Sequence, residues 1–119
     1  SVASRGLGDV YKRQNQDLDA RLARNGRKPS DLMRTAFIFS DLSGEEAKER
    51  DLLQTFQKNR GGTEEEVRRR IVIGDPDNMI NVLKGYEDAG IEMAIINLRP
   101  PFSAEEVARF AKEVLVAFN

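Results

Sequence analysis

Two apolar runs in this chain do not alternate with polar residues. Residues 35–40 read Thr-Ala-Phe-Ile-Phe-Ser, and residues 93–98 read Met-Ala-Ile-Ile-Asn-Leu. A strand with one wet face alternates apolar and polar positions, whereas an unbroken run of β-formers suits a parallel strand covered on both faces. Each run leads into a helix signal. Ser43 and Glu46 have the spacing of a capping box, opening a helix that is expected to reach about Phe56 with Ala47, Leu52, Leu53 and Phe56 on its apolar face. Ser103 and Glu106 repeat that spacing ahead of Val107, Phe110, Ala111, Val114, Leu115 and Phe118. Strand followed by helix, twice over, predicts an α/β architecture with parallel strands and right-handed crossovers.

The segments between these units are read in the same way. Leu18 and Leu22 at i, i+4 predict a short amphipathic helix over residues 16–25, stopped by Asn25-Gly26, and Pro29-Ser30-Asp31 predicts a turn. No large apolar side chain occurs from Gln57 to Glu66, so this stretch is expected to be a solvated insertion or loop. Residues 64–70 then allow a brief charged helix before Ile71-Val72-Ile73. In it Glu64–Arg68, Glu65–Arg69 and Glu66–Arg70 fall at favourable i, i+4 spacing, which favours a solvated face over a polyanion patch. Asp75 is a good N-cap and Pro76 suits the first helical position, where its missing N–H has no partner to lose. Met79, Ile80, Leu83 and Tyr86 form one stripe, and Gly90 ends the helix as a left-handed cap. Asp75 and Asp77 place negative charge at that helix start and Pro76 removes a donor, so capping is expected there and anion binding is not.

Composition removes several chemistries. The chain has no cysteine and no histidine, which excludes disulfides, thiolate metal sites, cysteine nucleophiles and the usual imidazole base. Catalysis on this segment would have to use carboxylates, Arg, Lys, Tyr, Asn, backbone groups or a borrowed cofactor. Lys and Arg number 19 against 20 Asp and Glu, giving −1, so no basic excess points to nucleic acid. The apolar runs are far shorter than the roughly 20 residues of a membrane span, and no apolar core of a signal peptide is present. A cytoplasmic location is expected, with neither membrane nor nucleic acid as partner. Residues 4–14 (Ser-Arg-Gly-Leu-Gly-Asp-Val-Tyr-Lys-Arg-Gln) show neither helical nor strand periodicity and resemble a translated cloning or sequencing linker, with a native loop as the alternative. The native domain is therefore taken to cover residues 15–119. Leaving the tract out removes Arg5, Lys12 and Arg13 against Asp9 and makes the remainder more acidic.

Two buried parallel strands with about four helices cannot cover both strand edges, since strands of this kind sit in sheets of about five or six. The pattern thus predicts the tail of a larger sheet or barrel. A doubly wound domain lacking its front half fits the same pattern.

Several motifs, taken in order, resemble the C-terminal region of luciferase-like monooxygenases, particularly the deazaflavin-dependent oxidoreductase branch. They are Asn25-Gly26-Arg27-Lys28-Pro29-Ser30-Asp31 leading into the first apolar run, and Ile73-Gly74-Asp75-Pro76-Asp77-Asn78, which looks like the family's Gly-Thr-Pro-Glu-Glu helix start. Ala89-Gly90-Ile91 and Ala94-Ile95-Ile96-Asn97-Leu98 follow. The resemblance covers most of residues 16–118. It implies that the chain is a C-terminal fragment of a (β/α)8 TIM barrel: the last two strands and their flanking helices, with residues 35–40 as the seventh strand and 93–98 as the eighth. It further implies FMN or a deazaflavin coenzyme as cofactor and a small-molecule substrate. The family's main contacts to the cofactor phosphate lie upstream of the residues present, so the fragment alone is expected to be inactive.

Barrel sites gather where strands end at the C-terminal face. That singles out Ser40 and Asp41 after the first run and Asn97 and Arg99 after the second as pocket candidates. Asn97 is a polar residue ending an apolar strand, placed to hydrogen-bond a ring edge or substrate; the structural alternative is a strand-end residue serving loop backbone. Arg99 suits bidentate pairing with an anion, against a surface ion pair ahead of Pro100-Pro101. Asp41 could orient a proton, but a turn or helix-entry role accounts for it better. The competing class is a small non-enzymatic α/β interaction domain that completes its sheet as a homodimer or on a partner.

Overall fold

The computed structural model describes residues 2–118, which form five α-helices and a three-stranded parallel sheet. The elements run α1 (Val2–Arg24), β1 (Thr35–Asp41), α2 (Glu46–Arg60), α3 (Glu64–Arg68), β2 (Ile71–Ile73), α4 (Pro76–Asp88), β3 (Met93–Leu98) and α5 (Ala104–Glu113), with 3-10 turns at Pro29–Asp31 and Leu115–Phe118. Both apolar runs are strands, and Ile71-Val72-Ile73 adds a third. The architecture is α/β. Among the described residues no helix is long and apolar enough to cross a membrane.

The strand order is β2-β1-β3. β1 pairs with β3 in register from Thr35 opposite Met93 to Ser40 opposite Leu98, and with β2 from Phe39 opposite Ile71 to Asp41 opposite Ile73. The chain thus leaves β1 to one side through α2 and α3, then returns across it through α4 to the other side. Doubly wound sheets have this order; three successive barrel strands would lie in chain order. β1 and β3 are nonetheless parallel neighbours, as the last two strands of a barrel are.

Side-chain parity divides the core in two. Ala36 and Ile38 of β1 and Val72 of β2 pack with Met79, Val82 and Tyr86 of α4 and with Val114, while Ala94, Ile96 and Leu98 of β3 are partly buried against the same cluster. On the opposite face Ile71, flanked by Phe39 and Ile73, packs with Leu52, Leu53 and Phe56 of α2 and Val67 of α3. Burying each such side chain contributes about 1.5–3 kcal/mol, so α2 and α4 hold the sheet between them. The second cover is incomplete. Phe37 is 51% exposed, Met93 46% and Ile95 44%, so the expectation of two covered faces fails for the lower half of β1 and β3. α2 leaves the sheet before it reaches them.

Local signals were met unevenly. Asp75 caps α4, its Oδ1 accepting the Asn78 N–H at 2.8 Å, and Gly90 takes φ 96° beyond its end, where an L side chain would be strained. Ser103 caps α5 by accepting the Glu106 N–H at 3.1 Å, but the Glu106 carboxylate accepts instead from Leu42 N–H at 3.2 Å. The second capping box is therefore half formed. The first is absent: α2 begins at Glu46, its N-cap Glu45 makes no side-chain cap, and Ser43 is engaged with Asp41. α2 also runs past Phe56 to Arg60 through a segment expected as loop, because Gln, Lys and Arg continue a helix without needing a buried face. The charged helix α3 forms, with Glu64–Arg68 at 3.0 Å and Glu65–Arg69 at 3.1 Å.

α1 is longer than the helix expected over residues 16–25, extending back to Val2 through the tract without periodicity. Tyr11 supplies part of the reason: its ring meets Tyr86 edge-on, 5.0 Å between centroids, adding an anchor that periodicity could not show. Asn15 Nδ2 donates to Ala89 O at 2.6 Å, and Arg34 bonds both Asp19 and the Asn15 carbonyl, so α1 is fastened to the ends of α4 and β1.

Candidate functional site

A cleft of about 370 Å³ opens between α2 and the C-terminal ends of β1 and β3. It follows from the topology. α2 covers β1 and β2 on this face but not β3, so a groove remains where the crossovers depart in opposite directions. Crevices at the carboxyl ends of parallel strands are where open α/β sheets bind ligands.

Three of the four residues expected at the pocket line it: Ser40, Asn97 and Arg99. Ser40 is fully buried, and its hydroxyl donates to Asn97 O at 3.0 Å, tying the two strand ends together. Asn97 stands opposite Phe39 in the register, which sets its side chain on the cleft side of the sheet. Arg99 reaches across to α2. Its Nη2 lies 2.7 Å from Asp51 Oδ2 and donates to Thr55 Oγ1 at 3.2 Å, while Nη1 is buried with no hydrogen-bond partner in the protein. The ion-pair alternative for Arg99 is thus realised, and inside the cleft wall rather than apart from it.

Asp41 is elsewhere. It is 3% exposed and its Oδ1 accepts the Ser43 N–H at 2.8 Å and the Ser43 hydroxyl, while its carbonyl accepts from Gly74 N–H at 3.3 Å. It shapes the exit from β1 and does not line the cleft: the pleat sets it on the same face as Phe39, but Ser43 in the loop holds its carboxylate. The same loop is clamped from α5 by Glu106 on Leu42 N–H and by Arg109 Nη1 on Leu42 O at 3.0 Å. Beside it, burial raises the Glu49 carboxyl above its ordinary value, and Asp41 and Glu46 add to the rise against Arg68.

Sequence reasoning missed the α2 wall. Leu52, Thr55, Phe56 and Asn59 recur at i, i+3, i+4 and i+7, so one helix face supplies them all, with Arg60 next to it. The Arg60 guanidinium lies 5.4 Å from the Phe56 ring centroid and 5.6 Å from that of Phe39. Extending the period by one turn, polar residues included, would have found this face. Among the described residues no group of three or more His, Cys, Asp or Glu side chains is placed to hold a metal. Compared with known protein families, curated proteins and solved structures, the chain matches none.

Proposed function

We propose that this chain is the C-terminal part of a luciferase-like (β/α)8-barrel oxidoreductase using FMN or a deazaflavin coenzyme, and that it contributes barrel closure and one wall of the active-site pocket. The observation that carries the proposal is the meeting of Ser40, Asn97 and Arg99 in one cleft at the strand C-termini. The residues suit one edge of a planar ring: Phe39 offers aromatic surface, and Asn97 and Arg99 offer donors to ring oxygens. When bound, such a ring accepts or donates a hydride. The chain's own part is to orient the ring edge and exclude water from that side. In a barrel, β1 and β3 would be the seventh and eighth strands, the exposed Phe37, Met93 and Ile95 would face the interior, and the free edge of β3 would meet the first strand. The reading requires β2, three residues long, to yield its place beside β1 to an upstream strand.

The test is to sequence the coding DNA upstream of Asn15, express the whole frame and titrate its product with FMN and with a deazaflavin coenzyme, following ring fluorescence. Binding of one of them supports the proposal. A frame that opens at Ser1, or a complete product that binds neither, refutes it.

The free β3 edge beside exposed Met93 and Ile95 favours one other reading, a small interaction domain that completes its sheet on a second copy or a partner. That reading predicts cooperative unfolding of the isolated chain and a stable complex.

A further inference from the structure

We propose that the cleft beside α2 selects a planar organic anion, an aromatic carboxylate being the simplest member of the class. The inference rests on the reading of this cleft as a ligand site and adds the charge of what enters it. Phe39 and Phe56 meet at 5.5 Å and 72°, giving an apolar wall suited to a flat ring. Two guanidinium groups border that wall, Arg60 and Arg99, and no carboxylate lines the cleft. Arg60 rests on both rings, and among the described residues no carboxylate pairs with it. Arg99 commits Nη2 to Asp51 and Thr55, and its Nη1, buried without an acceptor, keeps its positive charge within the cleft wall. The Asp51 carboxylate that opposes it is 65% exposed, hence well solvated and only partly cancelling. A concave site with aromatic walls and uncancelled positive charge favours an anion over a neutral molecule of the same shape, and a guanidinium meets a carboxylate with paired, charge-assisted hydrogen bonds. The volume of about 370 Å³ admits a two-ring ligand.

The experiment titrates the 119-residue chain with naphthoate and, separately, with the neutral naphthamide, reading the ligand's fluorescence. The acid is expected to bind roughly tenfold more tightly than the amide, as one charge-assisted contact provides, with the preference shrinking as salt is raised. Arg60→Gln and Arg99→Gln should each remove most of the preference while leaving the melting temperature close to that of the parent. Equal binding of acid and amide, binding of neither, or a preference that survives both substitutions overturns the inference. Flavin binding without acid preference overturns it and leaves the proposed function standing. Acid preference with no flavin binding by the complete frame product does the reverse.

Discussion

Ile38 and Ile95 place the same side chain on opposite faces of the sheet, and replacing each with alanine measures how much of the core is real in solution. Ile38, in the central strand, is 1% exposed and packs against the α4 cluster. Removing its three outer carbons forfeits about 0.8 kcal/mol each, and the cavity left behind adds 1–2, for a loss of about 4 kcal/mol. Ile95, on β3, is 44% exposed on the bare half of the other face. There the transfer term is roughly halved and no cavity forms, so Ile95→Ala should lose only about 1 kcal/mol. For a domain whose whole stability is about 5–15 kcal/mol the difference is large: the melting temperature should fall by about 16 °C for Ile38→Ala and about 4 °C for Ile95→Ala. Urea unfolding followed by far-ultraviolet circular dichroism, at two protein concentrations, reads both losses. Equal losses at both concentrations would refute the reasoning, because the face bearing Ile95 would then be covered within one chain. A cost for Ile95→Ala that grows with concentration would identify a second copy as the cover.

Other perturbations test single elements. Asp75→Ala should lower stability by about 1 kcal/mol through loss of the α4 cap, whereas Ser43→Ala should leave the helicity of α2 unchanged, since Ser43 does not cap it; thermal melts by circular dichroism compare the two. Asp41→Ala should cost about 1–3 kcal/mol by stranding the Ser43 donors, yet leave ligand affinity in the cleft unchanged in a fluorescence titration. Burial, with a smaller contribution from Tyr11, pushes the Tyr86 hydroxyl above its ordinary 10.0. An unfolded tyrosine loses its proton near that pH while the folded one retains it, so the native state binds more protons and stability falls as pH rises above 10.0. Tyr86→Phe should flatten that alkaline limb, measured as urea midpoints across the pH range.

Much of this fold could be read because its signals are local. β3 has the bounds of its apolar run, β1 exceeds its run by Asp41, and the Asp75-Pro76 start and Gly90 end of α4 follow from cap chemistry within a few residues. What could not be read depends on which of several partners a side chain takes, or on polar residues that carry no periodic signal. Ser43 has the spacing of a cap, but α2 starts only at Glu46, and the hydroxyl serves the loop, donating to Asp41 Oδ1 and accepting the Glu45 N–H at 3.1 Å. Glu106 had the right spacing to reach back to Ser103, but Leu42 N–H, 64 residues away in sequence, holds its carboxylate. The α2 extension carries no apolar signal because Asn59 and Arg60 are polar, and a rule that counts apolar residues ends the helix at Phe56. For the site, Ser40, Asn97 and Arg99 could be placed because strand ends in parallel sheets share one side. Asp41 shares the face of Phe39 by the pleat, but Ser43 two residues on captures its carboxylate and keeps it out of the cleft.

The order β2-β1-β3 bears on the proposed barrel in a definite way. The floor of the cleft depends on β1 and β3 being parallel neighbours, with Ser40 bonded to Asn97 across them. That floor is indifferent to what lies on the far side of β1, and β2 holds there through only three register pairs, Phe39 with Ile71, Ser40 with Val72 and Asp41 with Ile73. An upstream strand could replace so short a neighbour while leaving the floor intact. The α2 wall is less free. Phe56 packs on Phe39, Arg99 is tied to Asp51 and Thr55, and both sets of contacts require α2 to lie over the face that a barrel turns inward. Closing a barrel therefore means releasing α2 from this face, which would expose Arg99 and free its whole fork for a ligand. The Arg99–Asp51 pair is consequently the contact on which the two architectures disagree most directly. If the complete frame product forms a barrel, Asp51→Asn should change neither its stability nor its affinity; if the cleft persists as it stands, the same substitution should leave Arg99 less opposed and strengthen anion binding.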